Sequence, residues 1–158
     1  MRCMVCLVAA LAVASGAEAQ SVKRLGAAES PISASVEIAA DSRIVYISGT
    51  VPDAVDPAAP AGSVARFGDT VAQTRSVLGK IEAQLKQHGM GLGDLVMMRV
   101  FLVAPPGQRM DFAGMMTAYR EKFGTAVQPA KPARSTMQVG GLVDPGWLVE
   151  IEATAAKK

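Results

Sequence analysis

The chain has 158 residues, with 16 Lys and Arg against 14 Asp and Glu, a formal net charge of +2 and 4% aromatic residues. That length suits one domain of ordinary size. So small a charge excess and so few aromatics argue against nucleic-acid binding, which calls for a basic face and stacking surfaces.

The first residues read as a targeting segment. Met1-Arg2 gives a positive start, Met4 to Ala14 is an apolar run, and Ser15 to Ala19 ends in an Ala-x-Ala pattern. This is the pattern of a secretory signal peptide cleaved after Ala19, and the run is too short for a membrane span. Residues 1–19 are therefore expected to be removed, leaving a domain over 20–158 that is periplasmic or secreted. Both cysteines, Cys3 and Cys6, fall inside the leader. The mature chain would then have no thiol for a disulfide, a metal or nucleophilic catalysis.

Ser21 to Pro31 is polar and small, and reads as loosely held. Ser35–Ala40 and Arg43–Ser48 alternate as two short strands joined by a turn at Ala40-Asp41-Ser42. Gly49–Gly62, with three prolines, is a predicted loop. Val71, Thr74, Leu78, Ile81 and Leu85 recur at helical spacing and predict a helix over 69–88. Thr70 with Gln73 fits a capping box, Asp69 is a rival N-cap, and Gly89 fits the C′ position. A strand is predicted over Leu95–Val103, with Val96, Met98, Val100 and Leu102 on one face and further apolar residues on the other.

A second helix is predicted over 111–123, with Phe112, Met115, Met116, Tyr119 and Phe123 as its buried stripe and Gly124 at its end. Strands follow at Arg134–Val139 and Leu148–Thr154. They read as neighbours, turned by Gly140-Gly141 and Asp144-Pro145-Gly146. The order strand, strand, helix, strand, helix, strand, strand predicts one α+β domain with two helices on one face of a mixed sheet. A partner subunit is expected to cover the other face.

The chemistry concentrates in Pro132-Ala-Arg-Ser135 and Val149-Glu-Ile-Glu-Ala153. A guanidinium holds a carboxylate by paired hydrogen bonds, and a carboxylate can position or activate water. The residues alone leave open a plainer reading, in which Arg134 pairs with Glu150 or Glu152 on the sheet surface. Glu150 and Glu152 are two apart and share a face. Ser48 has no evident base. His88 fits a helix C-terminus, and Met97, Met98, Met115, Met116 and Met137 read as core filling, with Tyr119 as packing.

With Ile47-Ser-Gly-Thr-Val-Pro52, Gln73-Thr74 and Tyr119–Phe123, those two motifs resemble the RidA/YjgF family of reactive-intermediate deaminases over roughly the whole domain. The resemblance implies a chorismate-mutase-like α+β subunit and a homotrimer with sites between subunits. It also implies hydrolysis of enamines and imines of small 2-keto acids, such as 2-aminoacrylate or 2-iminopropanoate, to the keto acid and ammonia, with no metal or organic cofactor. Position by position, Arg134 would bind the substrate carboxylate, Glu150 would serve the attacking water, and Ser48 would line the cleft. Thr136, where many members have cysteine, would complete the substrate-binding set largely through its backbone. The family's usual tyrosine near Ser35 is missing here, and Thr50 replaces its usual glutamine. An alternative reading is a non-catalytic trimeric carboxylate-binding or chaperone-like module of the same fold.

Overall fold

The computed structural model describes residues 21–105 and 107–158. The leader reading, with Cys3 and Cys6, lies outside the described residues. The elements are β1 (Val22–Leu25), β2 (Ser35–Ile38), β3 (Arg43–Thr50), a short α1 (Val64–Phe67), α2 (Thr70–Gln87), a 3-10 turn at Leu92–Asp94, β4 (Leu95–Val103), α3 (Phe112–Arg120), β5 (Ala133–Val139) and β6 (Val149–Lys157). Among the described residues no helix is long and apolar enough to cross a membrane.

Four strands form a mixed sheet in the order β3-β6-β4-β5, with β4 and β5 parallel and the other pairs antiparallel. The last two strands are therefore not neighbours, because β4 lies between them. β4 is apolar on its helix-covered face, while on the open face Met97, Phe101 and Val103 are only partly covered and flank the exposed Arg99. Nor do the first two expected strands share a hairpin. The segment read as loose holds β1, which pairs with β2 as a separate antiparallel ribbon. β1 is anchored by Arg24, whose guanidinium donates to the carbonyls of Gly93 and Leu95 at 2.8 and 3.0 Å. Polar composition hid a strand tied down by one long side chain.

α2 and α3 pack on one sheet face, as expected from their apolar stripes. Val77, Leu78, Ile81 and Leu85 of α2 meet Met98, Val100 and Leu102 of β4, Val149 and Ile151 of β6, and Met115, Met116 and Tyr119 of α3 in one core. Val96 departs from that set. The β4–β6 register slips between Leu95 and Met97, which turns Val96 away from the core. It packs instead with Val22 and Ala156 beneath the β1–β2 ribbon.

The start of α2 resolves the rival caps. Asp69 accepts from the Ala72 backbone N–H at 2.8 Å and is the N-cap. Gln73 makes no capping box. Fully buried, it donates to the carbonyls of Gly68 and Gly146 and accepts from the Leu148 N–H. One amide thus ties α2 to the turn that feeds β6. His88 is the C-cap, and Gly89 follows in the left-handed region at φ 67°. α3 ends at Arg120, three residues before Phe123, which remains buried.

Candidate active site

Arg134 stands on β5 opposite Met98 of β4, on the helix-covered face. Its guanidinium lies 4.3 Å from the ring centre of Tyr119 and 6.0 Å from that of Phe112. Nη2 donates to the Met116 sulfur at 3.1 Å, and Nη1 faces the Met115 sulfur at 3.9 Å. Thioether sulfur is a weak acceptor. Among the described residues Arg134 makes no ion pair. Burial lowers its pKa, the Tyr119 hydroxyl opposes that shift, and the positive charge of Arg120 adds to it. An arginine still stays charged in such a setting. A half-buried cation facing sulfur and aromatic carbon, with no carboxylate beside it, offers its strongest hydrogen bonds to an anion from outside.

Tyr119 does more than fill the stripe. It is 1% exposed, stacks on Phe123 with ring centres 4.5 Å apart, and donates its hydroxyl to the Pro31 carbonyl at 3.0 Å. Burial pushes its pKa up to about 12, against the pull of the Arg134 charge. The ring is thus a neutral, anchored floor beneath the guanidinium. Its spacing to Phe123 signalled a buried position, while its place under Arg134 depends on how α3 lies across β5, which no local pattern encodes. Phe112, expected in the same stripe, is 43% exposed.

Glu150 lies on the opposite face. It pairs in register with Phe101 of β4, and Glu152 pairs with Arg99, on the side away from the helices. The shared face expected for the two glutamates is present, but their pairing with Arg134 is not. Glu152 meets Arg99 at 3.3 Å, with both side chains largely exposed. Glu150 occupies the space over Gly49, where any Cβ would meet its Oε1. The β3 register slips between Ile47 and Thr50, which brings the Ser48-Gly49 backbone against β6.

Ser48 is exposed and lines a concavity of about 200 Å³ with Tyr46, Met97, Arg99, Glu152 and Thr154. Thr50 is buried and donates to the Ser48 carbonyl at 3.1 Å. Thr136 sits two residues beyond Arg134 on its face, with a buried hydroxyl that has no partner among the described residues. Met98, Met115 and Met116 are core residues, whereas Met97 and Met137 belong to the open face and are only partly covered. Among the described residues no three or more His, Cys, Asp or Glu side chains gather as metal ligands.

The protomer therefore carries two separated sets, Arg134 with Thr136 on the helix side and Ser48 with Glu150 on the open side. A sheet lies between them, so one subunit cannot bring Arg134 and Glu150 onto one ligand.

The fold defines a small α+β subunit with two helices on one face of a mixed sheet. A family model described as Endoribonuclease L-PSP matches residues 24–157. The chain is 34% identical to a RutC family protein of Pyrococcus abyssi, over 72% of this chain and 79% of that one. It is 35% identical to the 2-iminobutanoate/2-iminopropanoate deaminase of Salmonella typhimurium, over 73% and 80% of the two chains. Among solved structures, a Rid-family protein of Yersinia pestis matches with a TM-score of 0.63 at 26% identity, over 87% of this chain and 100% of that one. E. coli TdcF with bound serine matches with a TM-score of 0.56 at 25% identity, over 86% and 99%. The chain belongs to the RidA/YjgF family, which includes imine deaminases.

Proposed function

We propose that this protein hydrolyses the enamine and imine forms of small 2-keto acids to the keto acid and ammonia, in sites completed between subunits of a homotrimer. The observation that carries the reading is the half-buried Arg134 guanidinium without a carboxylate partner among the described residues. A relative named for 2-imino-acid deamination and another solved with bound serine, itself an α-carboxylate, support it.

In this reading Arg134 holds the substrate carboxylate in a bidentate fork. The enamine takes a proton on carbon to become the imine. Glu150 of a neighbouring subunit holds water against the imine carbon and accepts its proton as the C–O bond forms. The C=N electron pair moves to nitrogen, which is protonated. The C–N bond then breaks as the carbonyl forms, and ammonia leaves. Ser48 lines the Glu150 side of the cleft and Thr136 the Arg134 side. No metal or organic cofactor takes part.

The separation of Arg134 from Glu150 by the sheet supports a site shared between subunits. So does the open face, where Tyr46 is 79% and Met137 37% exposed, since such a surface gains by meeting another. Export, which the sequence pattern at 1–19 predicts, would put the reaction outside the cytoplasm, where imino acids would come from amino-acid oxidation.

The test is competition with semicarbazide for 2-iminopropanoate generated by an L-amino-acid oxidase. The purified full chain should drain the imine faster than buffer, and Arg134→Ala should not. Equal rates for the folded protein and buffer across several imino acids refute the reading.

A further inference from the structure

We propose that Lys131 is a positioning residue for Arg134: it ties residues 26–33 to the foot of β5 and so fixes the Pro31 carbonyl that anchors the Tyr119 ring beneath the guanidinium. The inference rests on the carboxylate role of Arg134 given above. It deepens that role by naming a side chain that reaches the site without touching the ligand.

Three observations carry it. First, the Lys131 ammonium donates to the carbonyls of Ala28 and Ser30 at 2.9 and 2.7 Å. Among the described residues it makes no ion pair. A lysine that spends its charge on two carbonyls flanking Glu29 holds that backbone in one place, since charge-assisted hydrogen bonds are the stronger kind. Second, the same segment is stitched down again two residues past Pro31. The Ser33 hydroxyl donates to the Lys131 carbonyl, and the Ser33 N–H donates to the Pro132 carbonyl at 3.0 Å. Pro31 lies between the two attachments, and its carbonyl accepts from the Tyr119 hydroxyl at 3.0 Å. The Tyr119 ring centre in turn lies 4.3 Å from the guanidinium carbon. A continuous path therefore runs from Lys131 through the Pro31 carbonyl and the phenol to Arg134. Third, apolar burial does not hold the segment at its Lys131 end. Ala27, Ala28 and Glu29 are exposed. Hollows of about 140 and 260 Å³ flank the lysine, one lined by Arg24, Ile32 and Pro129, the other by Glu29, Arg120 and Phe123. Lys131 is the strut between them.

The rival role is direct contact with an anion. Arg120 and Lys131 line one hollow, and two cations there would draw a carboxylate. Against it, the two carbonyls already take two of the three ammonium N–H groups, and the Glu29 carboxylate lines the same hollow.

The test makes two measurements on the full chain. One is calorimetric binding of pyruvate. The other is the Raman doublet of the Tyr119 phenol, whose intensity ratio reports whether the hydroxyl donates to an acceptor. The chain has two tyrosines, so a Tyr46→Phe background leaves Tyr119 as the one phenol. Lys131→Met should shift the doublet away from the donor ratio. It should also weaken pyruvate binding by about two- to threefold, no more than Tyr119→Phe does, because both act through one hydrogen bond. Lys131→Arg keeps the donors and should restore both readouts. In the double variant of Lys131→Met with Tyr119→Phe the losses should not add, since both break the same path. Lys131→Gln, a shorter neutral donor, carries the same comparison if the methionine variant does not fold. An unchanged doublet overturns the inference, since the hydroxyl then keeps its place unaided. So does wild-type affinity in Lys131→Met. So do losses that multiply in the double variant, as those of a direct ligand contact would. All three leave the carboxylate role of Arg134 intact. No pyruvate binding by the wild type refutes the Arg134 reading and this inference with it. Binding with no imine hydrolysis refutes the deaminase reading alone.

Discussion

Replacing Tyr119 separates the two things its side chain does. Tyr119→Phe keeps the ring 4.3 Å beneath the guanidinium and removes only the hydroxyl that donates to Pro31. A hydrogen bond of this kind contributes about 0.5–1.5 kcal/mol to stability, and the carbonyl left behind adds to the loss. Tyr119→Leu removes the ring as well. A desolvated cation–π contact is worth about 2 kcal/mol, and the stack on Phe123 a further 0.5–1.5 kcal/mol. If the ring holds Arg134 flat and ready, Tyr119→Leu should weaken pyruvate binding by about thirtyfold, the equivalent of those 2 kcal/mol. Tyr119→Phe should bind within about threefold of wild type, a difference below the 1.4 kcal/mol of a tenfold change. Calorimetric titration gives the affinities, and urea unfolding of each variant gives the stabilities. The decisive comparison is affinity in Tyr119→Leu at a urea concentration where it is fully folded. Wild-type affinity there would show that Arg134 is held by its methionine contacts and β5 alone, with no part played by the ring beneath it.

The same tyrosine sets an alkaline limit. Its pKa rises from 10.0 in the unfolded reference to about 12 in the fold, because burial disfavours the phenolate. The fold thus holds the proton more tightly, so this contribution is complete below pH 10 and is lost as pH rises through 12. A rise from 10.0 to about 12 corresponds to roughly 3 kcal/mol. Wild type should lose stability relative to Tyr119→Phe by that order over this window, and a constant difference refutes it. Gly49→Ala puts a methyl where the Glu150 carboxylate lies. The end of a flexible side chain can move aside, so unfolding should change by less than about 1 kcal/mol while imine turnover falls at least tenfold, and unchanged turnover would free Glu150 from any need for that position. Gln73→Ala strips hydrogen bonds from two carbonyls and one N–H in the buried joint between α2 and β6. It should cost about 2–4 kcal/mol in urea with an unchanged m value, and a loss below 1 kcal/mol would mean that water replaces the amide.

Periodicity located both helices, β4 and the C-terminal strands to within a few residues, because each carries an apolar stripe wide enough to name its buried side. Strand order was not legible. Gly140-Gly141 and Asp144-Pro145-Gly146 do turn the chain, with the Asp144 carboxylate accepting from the Gly146 N–H, but the turn spans β4 instead of joining adjacent strands. Nothing local distinguishes the two cases. Val96 misled for a related reason: alternation assigned it to the core, and one slipped residue pair moved it under the ribbon. At the site, the residue types were readable from the Arg134 and Glu150 motifs. Their faces were not, since a face depends on register with a third strand. Spacing alone points Phe112 at the core, and its exposure follows from its place in the first turn of α3.

The placement of Arg134 and Glu150 on opposite sides of the sheet has a consequence for mixtures. If clefts form between subunits as proposed, each protomer would supply the cation to one cleft and the carboxylate to another, so two defective chains could complement each other. Arg134→Ala and Glu150→Gln would each be inactive alone. Dissociated together and reassembled at random in equal amounts, closed rings would hold one intact cleft in about four, the chance that a Glu150→Gln chain provides the arginine while its neighbour provides the glutamate. Activity would then return to about a quarter of wild type from two inactive parents, each chain lending the other the half it lacks.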